Sequence, residues 1–144
     1  MSLFLKQLKD IDFDTVRSFY ETYSEGIRVE YKRDLSSNIP KVVSSFANTQ
    51  GGILMIGIEE DRKTRSRKLL PLSQMAGYEE QVTQACLMGI NPSILPAIRV
   101  FDVPGVASKV IVVVKVNQSV EAPHAIENST RVYIRTGNCR SHIS

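Results

Sequence analysis

The sequence predicts an α+β domain: a mixed β-sheet carrying helices, in the order strand, helix, strand, helix, strand, strand, strand after an N-terminal helix. Three observations carry this expectation. Residues 27–32 alternate Ile27, Val29 and Tyr31 with Arg28, Glu30 and Lys32, the two-residue period of a half-buried strand. Ile39, Val42, Val43, Phe46 and Ala47 recur at the spacing of an amphipathic helix. The apolar runs 53–58 and 110–114 are of strand length and carry no charge, as in strands covered on both faces.

An N-terminal helix is expected around residues 13–23. In the strand at 27–32 the charged set should form the outer face. The helix at 39–47 takes Ser36 or Ser37 as its cap and Pro40 in its first turn, and Gly51-Gly52 stops it. The strand at 53–58 then ends in three acids, Glu59, Glu60 and Asp61. Residues 78–90 place Val82, Ala85, Cys86 and Gly89 on one face, with Pro92 beyond, and read as a second helix. Residues 97–103, 109–116 and 131–136 complete the strands, with Pro104-Gly105 turning between the first two.

At 144 residues and 42% apolar content the chain can bury one sizeable core, so one domain is expected. The net charge of +3 is uneven: Arg62, Lys63, Arg65, Arg67 and Lys68 fall within seven residues, and the rest of the chain is slightly acidic. Cys86 and Cys139 lack the spacing of a zinc or redox motif and read as two thiols in a reducing cytoplasm. The apolar runs are too short for a membrane span or a signal segment, so a cytoplasmic protein without a membrane partner is expected.

Four strings stand out: Glu-x4-Glu-Tyr-Lys at 25–32, Ser-Phe-Ala-Asn-Thr-Gln-Gly-Gly-Ile-Leu-Met-Ile-Gly-Ile-Glu-Glu-Asp at 45–61, Ala-Pro-His at 122–124 and Arg-Val-Tyr-Ile-Arg-Thr-Gly at 131–137. Together they resemble the Schlafen/AlbA-type DNA-binding domain family, from about residue 25 to the C-terminus. The segment 46–52 is the most specific part. The resemblance implies an Alba-like mixed sheet, with 1–24 as an N-terminal helical extension and 25–144 as the domain. Relatives continue past the position of Ser144, so it also implies a piece of a longer chain. Its functional implication is a nucleic-acid-binding module, with DNA as the expected partner, in a regulator of transcription.

Two groups of residues could contact nucleic acid. The basic segment 62–68 follows a buried strand and reads as an exposed hairpin or loop whose cations attract phosphates; the alternative is a solvated loop. Arg131, Tyr133 and Arg135 share one strand face by the two-residue period and could offer two guanidiniums and a stacking ring; the alternative is an edge strand kept soluble by charge. The Gly51-Gly52 pair follows a helix rather than preceding one and lacks the Lys-Ser/Thr of a phosphate loop, so it reads as a structural turn.

A second reading is enzymatic. Glu25, Glu30 and Glu60 resemble the three-carboxylate site of Schlafen ribonucleases, where acids hold a divalent metal that activates water. On that reading Mg²⁺ or Mn²⁺ is the cofactor, Glu59 and Asp61 are fallback ligands, and Lys32 orients water or stabilises charge; on the binding reading no cofactor is needed. The family's third acid is typically Asp, so Glu60 departs from the pattern. The bland alternative is that Glu30 and Lys32 pair across an exposed face or bridge to an arginine. His124 reads as a loop or core hydrogen-bonder rather than a general base, and no Ser/His/Asp or Cys/His arrangement has motif support. A third class is a protein-interaction module, with a homodimer as one form.

Overall fold

The computed structural model describes residues 2–36, 38–127, 131–136 and 139–143, by backbone alone at residue 2 and at 139–143. Ser37, Gly137 and the Cys139 side chain therefore lie outside the described residues. In chain order the elements are α1 (Ser2–Leu5), a 3-10 turn (Leu8–Asp10), α2 (Phe13–Thr22), β1 (Val29–Lys32), α3 (Ile39–Ala47), β2 (Gly52–Ile56), β3 (Ile58–Glu60), β4 (Arg67–Leu69) and β5 (Leu72–Ser73). They continue as α4 (Tyr78–Gly89), β6 (Ile90–Asn91), β7 (Ala97–Asp102), β8 (Lys109–Val116), β9 (Ala125–Ile126), β10 (Val132–Thr136) and β11 (Cys139–Ile143).

The fold is α+β with a mixed central sheet, and the main helices and strands fall where periodicity puts them. The run at 53–58, however, is not one strand. Gly57 takes φ +110°, which glycine reaches without steric cost, and there the chain leaves β2 to begin the hairpin of β3 and β4. β1 pairs parallel with β2, β2 antiparallel with β8, and β8 carries β7 on its other edge, while β5 extends the β2 side.

Alternation along these strands sorts the core into two clusters, one on each face. Val29, Tyr31, Ile53, Met55, Phe101, Ile111 and Val113 face the N-terminal segment, whose Leu3, Leu8, Val16, Phe19 and Tyr20 cover them. Leu54, Ile56, Val110, Val112, Val114 and Val116 face α3 and α4. The N-terminal segment thus supplies one whole side of the core.

α3 is buried all round from Val42 to Ala47, including Ser44 and Ser45. Their hydroxyls donate to the carbonyls of Lys41 and Val42, so no hydroxyl in this dry helix is left unpaired. The reason for the burial is a second, four-stranded antiparallel sheet, β11-β10-β9-β6, whose β10 and β9 pack on the far side of α3. A helix between two sheets has no solvent face.

α3 is not capped by Ser36. Asn38 is the N-cap residue and makes no side-chain cap bond; the Ser36 hydroxyl instead accepts the N–H of Asn38.

Candidate functional site

The three glutamates come near one another at the edge formed by β1, the end of β3 and the turn before β1, but each is already committed. Glu60 Oε1 accepts the N–H of Glu25 at 2.9 Å, and Arg65 Nε lies 2.8 Å from its Oε2, with Arg67 Nη1 3.7 Å from Oε1. The Glu60 side chain is only 5% exposed. Glu25 Oε2 accepts the N–H of Tyr31 at 3.0 Å. Burial, with Glu30 and Glu60 nearby, holds the Glu25 carboxyl above its ordinary value against that hydrogen bond.

Glu30 does not face water as the alternating pattern predicts. It lies on the α3 side of the sheet, where Arg135 Nη1 donates to its Oε1 at 2.8 Å, while Lys32 Nζ stands 3.9 Å from Oε2. The fallback acids are apart from this arrangement. Glu59 is exposed with Arg33 at 3.7 Å, and Asp61 caps the hairpin turn by accepting the N–H groups of Thr64 and Lys63, which hold its carboxyl below the ordinary value.

Among the described residues no group of three or more His, Cys, Asp or Glu side chains could hold a metal ion. Of the oxygens that the expected metal set of Glu25, Glu30 and Glu60 would use, Glu25 Oε2 and Glu60 Oε1 accept backbone N–H groups, and Glu30 Oε1 and Glu60 Oε2 face arginines. Lys32, expected to orient water there, has Glu30 as its ion-pair partner.

The basic segment divides in two. Arg62, Lys63 and Lys68 are exposed on the β3–β4 hairpin. Arg65 and Arg67 turn inward and do not belong to a phosphate-facing set. Besides Glu60, Arg65 Nη2 donates to the Glu25 carbonyl at 2.9 Å. Arg67 donates from Nε to the Tyr20 carbonyl at 2.7 Å, from Nη2 to that of Glu21 at 3.0 Å, and from Nη1 to that of Arg65. Tyr20 and Glu21 lie in the last turn of α2, whose carbonyls have no helical partners and carry the negative end of the helix dipole, so a guanidinium is well placed there. Arg67 fastens the hairpin to α2, and Arg65 fastens it to the turn before β1.

Of Arg131, Tyr133 and Arg135, the last two lie in β10, which packs on α3. Arg135 is buried: its Nη2 donates to the carbonyls of Gly26 at 2.6 Å and Val29 at 3.2 Å, and its guanidinium carbon lies 4.6 Å from the centre of the Phe46 ring. The assignment of Arg135 to a nucleic-acid surface is therefore corrected. Tyr133 is half-buried with Lys41 Nζ 5.6 Å from its ring centre, and Arg131 is exposed just before the strand.

The segment 46–52 acts as a staple. Asn48 Oδ1 accepts the N–H of His124 at 2.7 Å, and its Nδ2 donates to the carbonyls of His124 and Tyr133, both at 3.0 Å. The Thr49 hydroxyl donates to the Ser45 carbonyl and accepts the N–H of Arg135. Gly51 carries the left-handed turn, at φ +76°, and a Cβ there would stand 2.6 Å from the Val116 carbonyl oxygen. Gly52 has no such φ. It is required because the Phe46 ring lies over it, 2.4 Å from where a Cβ would be. The pair is a structural turn in which one glycine serves the backbone and the other the packing.

One arrangement has no signal in the sequence. His124, only 1% exposed, donates from Nδ1 to the Pro92 carbonyl at 2.7 Å, and its Nε2 lies 2.7 Å from Ser119 Oγ. Both residues sit in loops, where no period or motif points to their meeting.

Residues 25–144 match the family described as Schlafen, AlbA_2. The chain belongs to that Schlafen/AlbA_2 family. The match begins after α2, so the N-terminal segment that closes one face of the sheet lies outside it. A solved structure similar to this Schlafen/AlbA_2 chain is the solution NMR structure of the N-terminal domain of an ATP-dependent DNA helicase RecG-related protein from Nitrosomonas europaea. It has 19% identity and a TM-score of 0.66, over 83% of this chain and 82% of that one, a likeness of fold. No curated protein matches the chain.

Proposed function

We propose that this domain binds nucleic acid through the phosphate backbone, with the β3–β4 hairpin as the principal contact and DNA as the partner, as a module of a cytoplasmic regulator of transcription. The observation that carries the reading is the division within the hairpin. Arg65 and Arg67 anchor it, and Arg62, Lys63 and Lys68 remain displayed on a rigid ribbon, with Arg33 beside Glu59 on the neighbouring turn. Cations gathered on a slightly acidic body make a local attractive field for phosphates. Arg131 and the Lys41–Tyr133 pair are a second, smaller contact on this reading. Phosphate contacts position a duplex without reading its sequence, so affinity should vary little with sequence.

The test is the salt dependence of binding to a short duplex, measured by fluorescence anisotropy. The double variant Arg62→Glu, Lys63→Glu should lower affinity for all sequences and flatten the slope of log affinity against log salt by about two units, near 0.9 per lost phosphate contact. Its melting temperature should match the wild type, because neither side chain fastens the hairpin. Equal affinity and slope in both proteins would overturn the proposal. Self-association insensitive to salt would instead favour the protein-interaction reading.

A further inference from the structure

We propose that Ser119 is a nucleophilic serine, with His124 as its base, able to accept an acyl group from esters of apolar carboxylic acids. The argument begins with the proton. The Pro92 carbonyl can only accept, so at 2.7 Å it fixes the hydrogen of neutral His124 on Nδ1. Nε2 then presents a lone pair, and the hydroxyl 2.7 Å away is its donor.

A nucleophile bonded to a base that is held in one tautomer by a third group is the arrangement that activates serine, with a backbone carbonyl here in place of a carboxylate. With His124 only 1% exposed, its ring is held in place by these two bonds. Ser119 Oγ also accepts the N–H of Glu121 at 3.0 Å, which uses one of its two lone pairs and leaves the other for attack.

Both side chains line a groove of about 810 Å³, whose wall includes Ile94, Leu95, Ile98 and Val120. Leu95 and Val120 are 71% and 101% exposed, so apolar surface stands open beside the hydroxyl. That surface is the reason for an apolar acyl group.

In the reaction, Ser119 Oγ bonds to the carbonyl carbon as its proton passes to His124 Nε2. The ester C–O bond breaks and the departing alcohol takes that proton. Water then attacks the acyl-serine by the same route, releasing the acid and restoring the hydroxyl.

The experiment uses an alkyl fluorophosphonate, in which Oγ displaces fluoride from phosphorus, followed by peptide mass spectrometry on the whole chain. The wild type should gain one adduct on Ser119. Ser119→Ala should gain none. Because loss of the hydroxyl could loosen the loop, Ser119→Cys is the second variant: its new thiol should react with iodoacetamide faster than free cysteine, above the background the wild type sets. A folded wild type left unlabelled at Ser119, equal labelling of Ser119→Ala, or a thiol in Ser119→Cys no faster than free cysteine would each overturn the proposal.

Discussion

Arg135 offers the sharpest separation between a residue that holds the fold and one that meets a ligand. Its side chain is 0% exposed, and the guanidinium donates to Glu30 and to two backbone carbonyls, of Gly26 and Val29. Arg135→Met keeps a long apolar stem against Phe46 but removes every one of these bonds. It leaves the Glu30 side chain, 11% exposed, with Lys32 at 3.9 Å. Removing one partner of a buried pair costs about 3–5 kcal/mol, because the remaining charge is neither solvated nor matched. For a domain of this size, at about 3–4 °C per kcal/mol, the melting temperature should fall by roughly 10–20 °C.

Thermal melting followed by circular dichroism reads the effect, and a cycle with Glu30→Gln separates the pair from the backbone bonds. Glutamine needs no counter-charge, so the double variant should be less destabilised than the sum of the single ones, by on the order of 1–3 kcal/mol. Duplex affinity at a temperature where both proteins are folded should be unchanged. An unaltered melting temperature together with lost affinity would refute this reasoning and return Arg135 to the surface.

Two further outcomes follow from the same geometry. Phe46→Ala should destabilise by about 3–5 kcal/mol through the cavity it leaves, and Gly52→Ala, on a backbone any residue could adopt, should destabilise because its methyl group meets the Phe46 ring; denaturant melts of the single and double variants check both, and Gly52→Ala should cost less once the ring is gone. Glu25, raised above the ordinary value of 4.5 chiefly by burial, binds its proton more tightly folded than unfolded, so its contribution is fully present below that value and is lost as pH rises through the raised one. Glu25→Gln keeps an acceptor for the Tyr31 N–H and should flatten that part of the stability–pH curve, which a series of melts across the acidic range would show.

Period and run length locate α2, α3, α4 and the long strands because each is shaped by its own burial. The short strands β6 and β9, of two residues each, carry no readable period, and with them the second sheet goes unseen. That omission propagates. Without a sheet beyond α3, Glu30 looks like a solvent-facing charge and Arg131, Tyr133 and Arg135 like an outer face, whereas β10 packs on the helix and buries Arg135. The seven-residue basic cluster is legible as a cluster, but not the inward turn of Arg67, which depends on carbonyls at the end of α2 more than forty residues earlier, nor that of Arg65 toward the Glu25 carbonyl.

The same distance explains the carboxylates. Spacing along the chain can bring Glu25, Glu30 and Glu60 to one edge, but whether they gather a cation is decided by what else arrives there. Arg135 reaches Glu30 across 105 residues, and the hairpin returns Arg65 and Arg67 to Glu60 within a few. Guanidiniums bring their own charge and donors, so they neutralise the acids without the coordination geometry a divalent ion demands. The acids and inner arginines then form a ligature joining α2, β1, the hairpin and β10, and the outer cations of the same hairpin are held in place by it. The ion pair by which Arg65 fixes the hairpin, 2.8 Å from Glu60 Oε2, thus takes up an oxygen that a metal site on these acids would need.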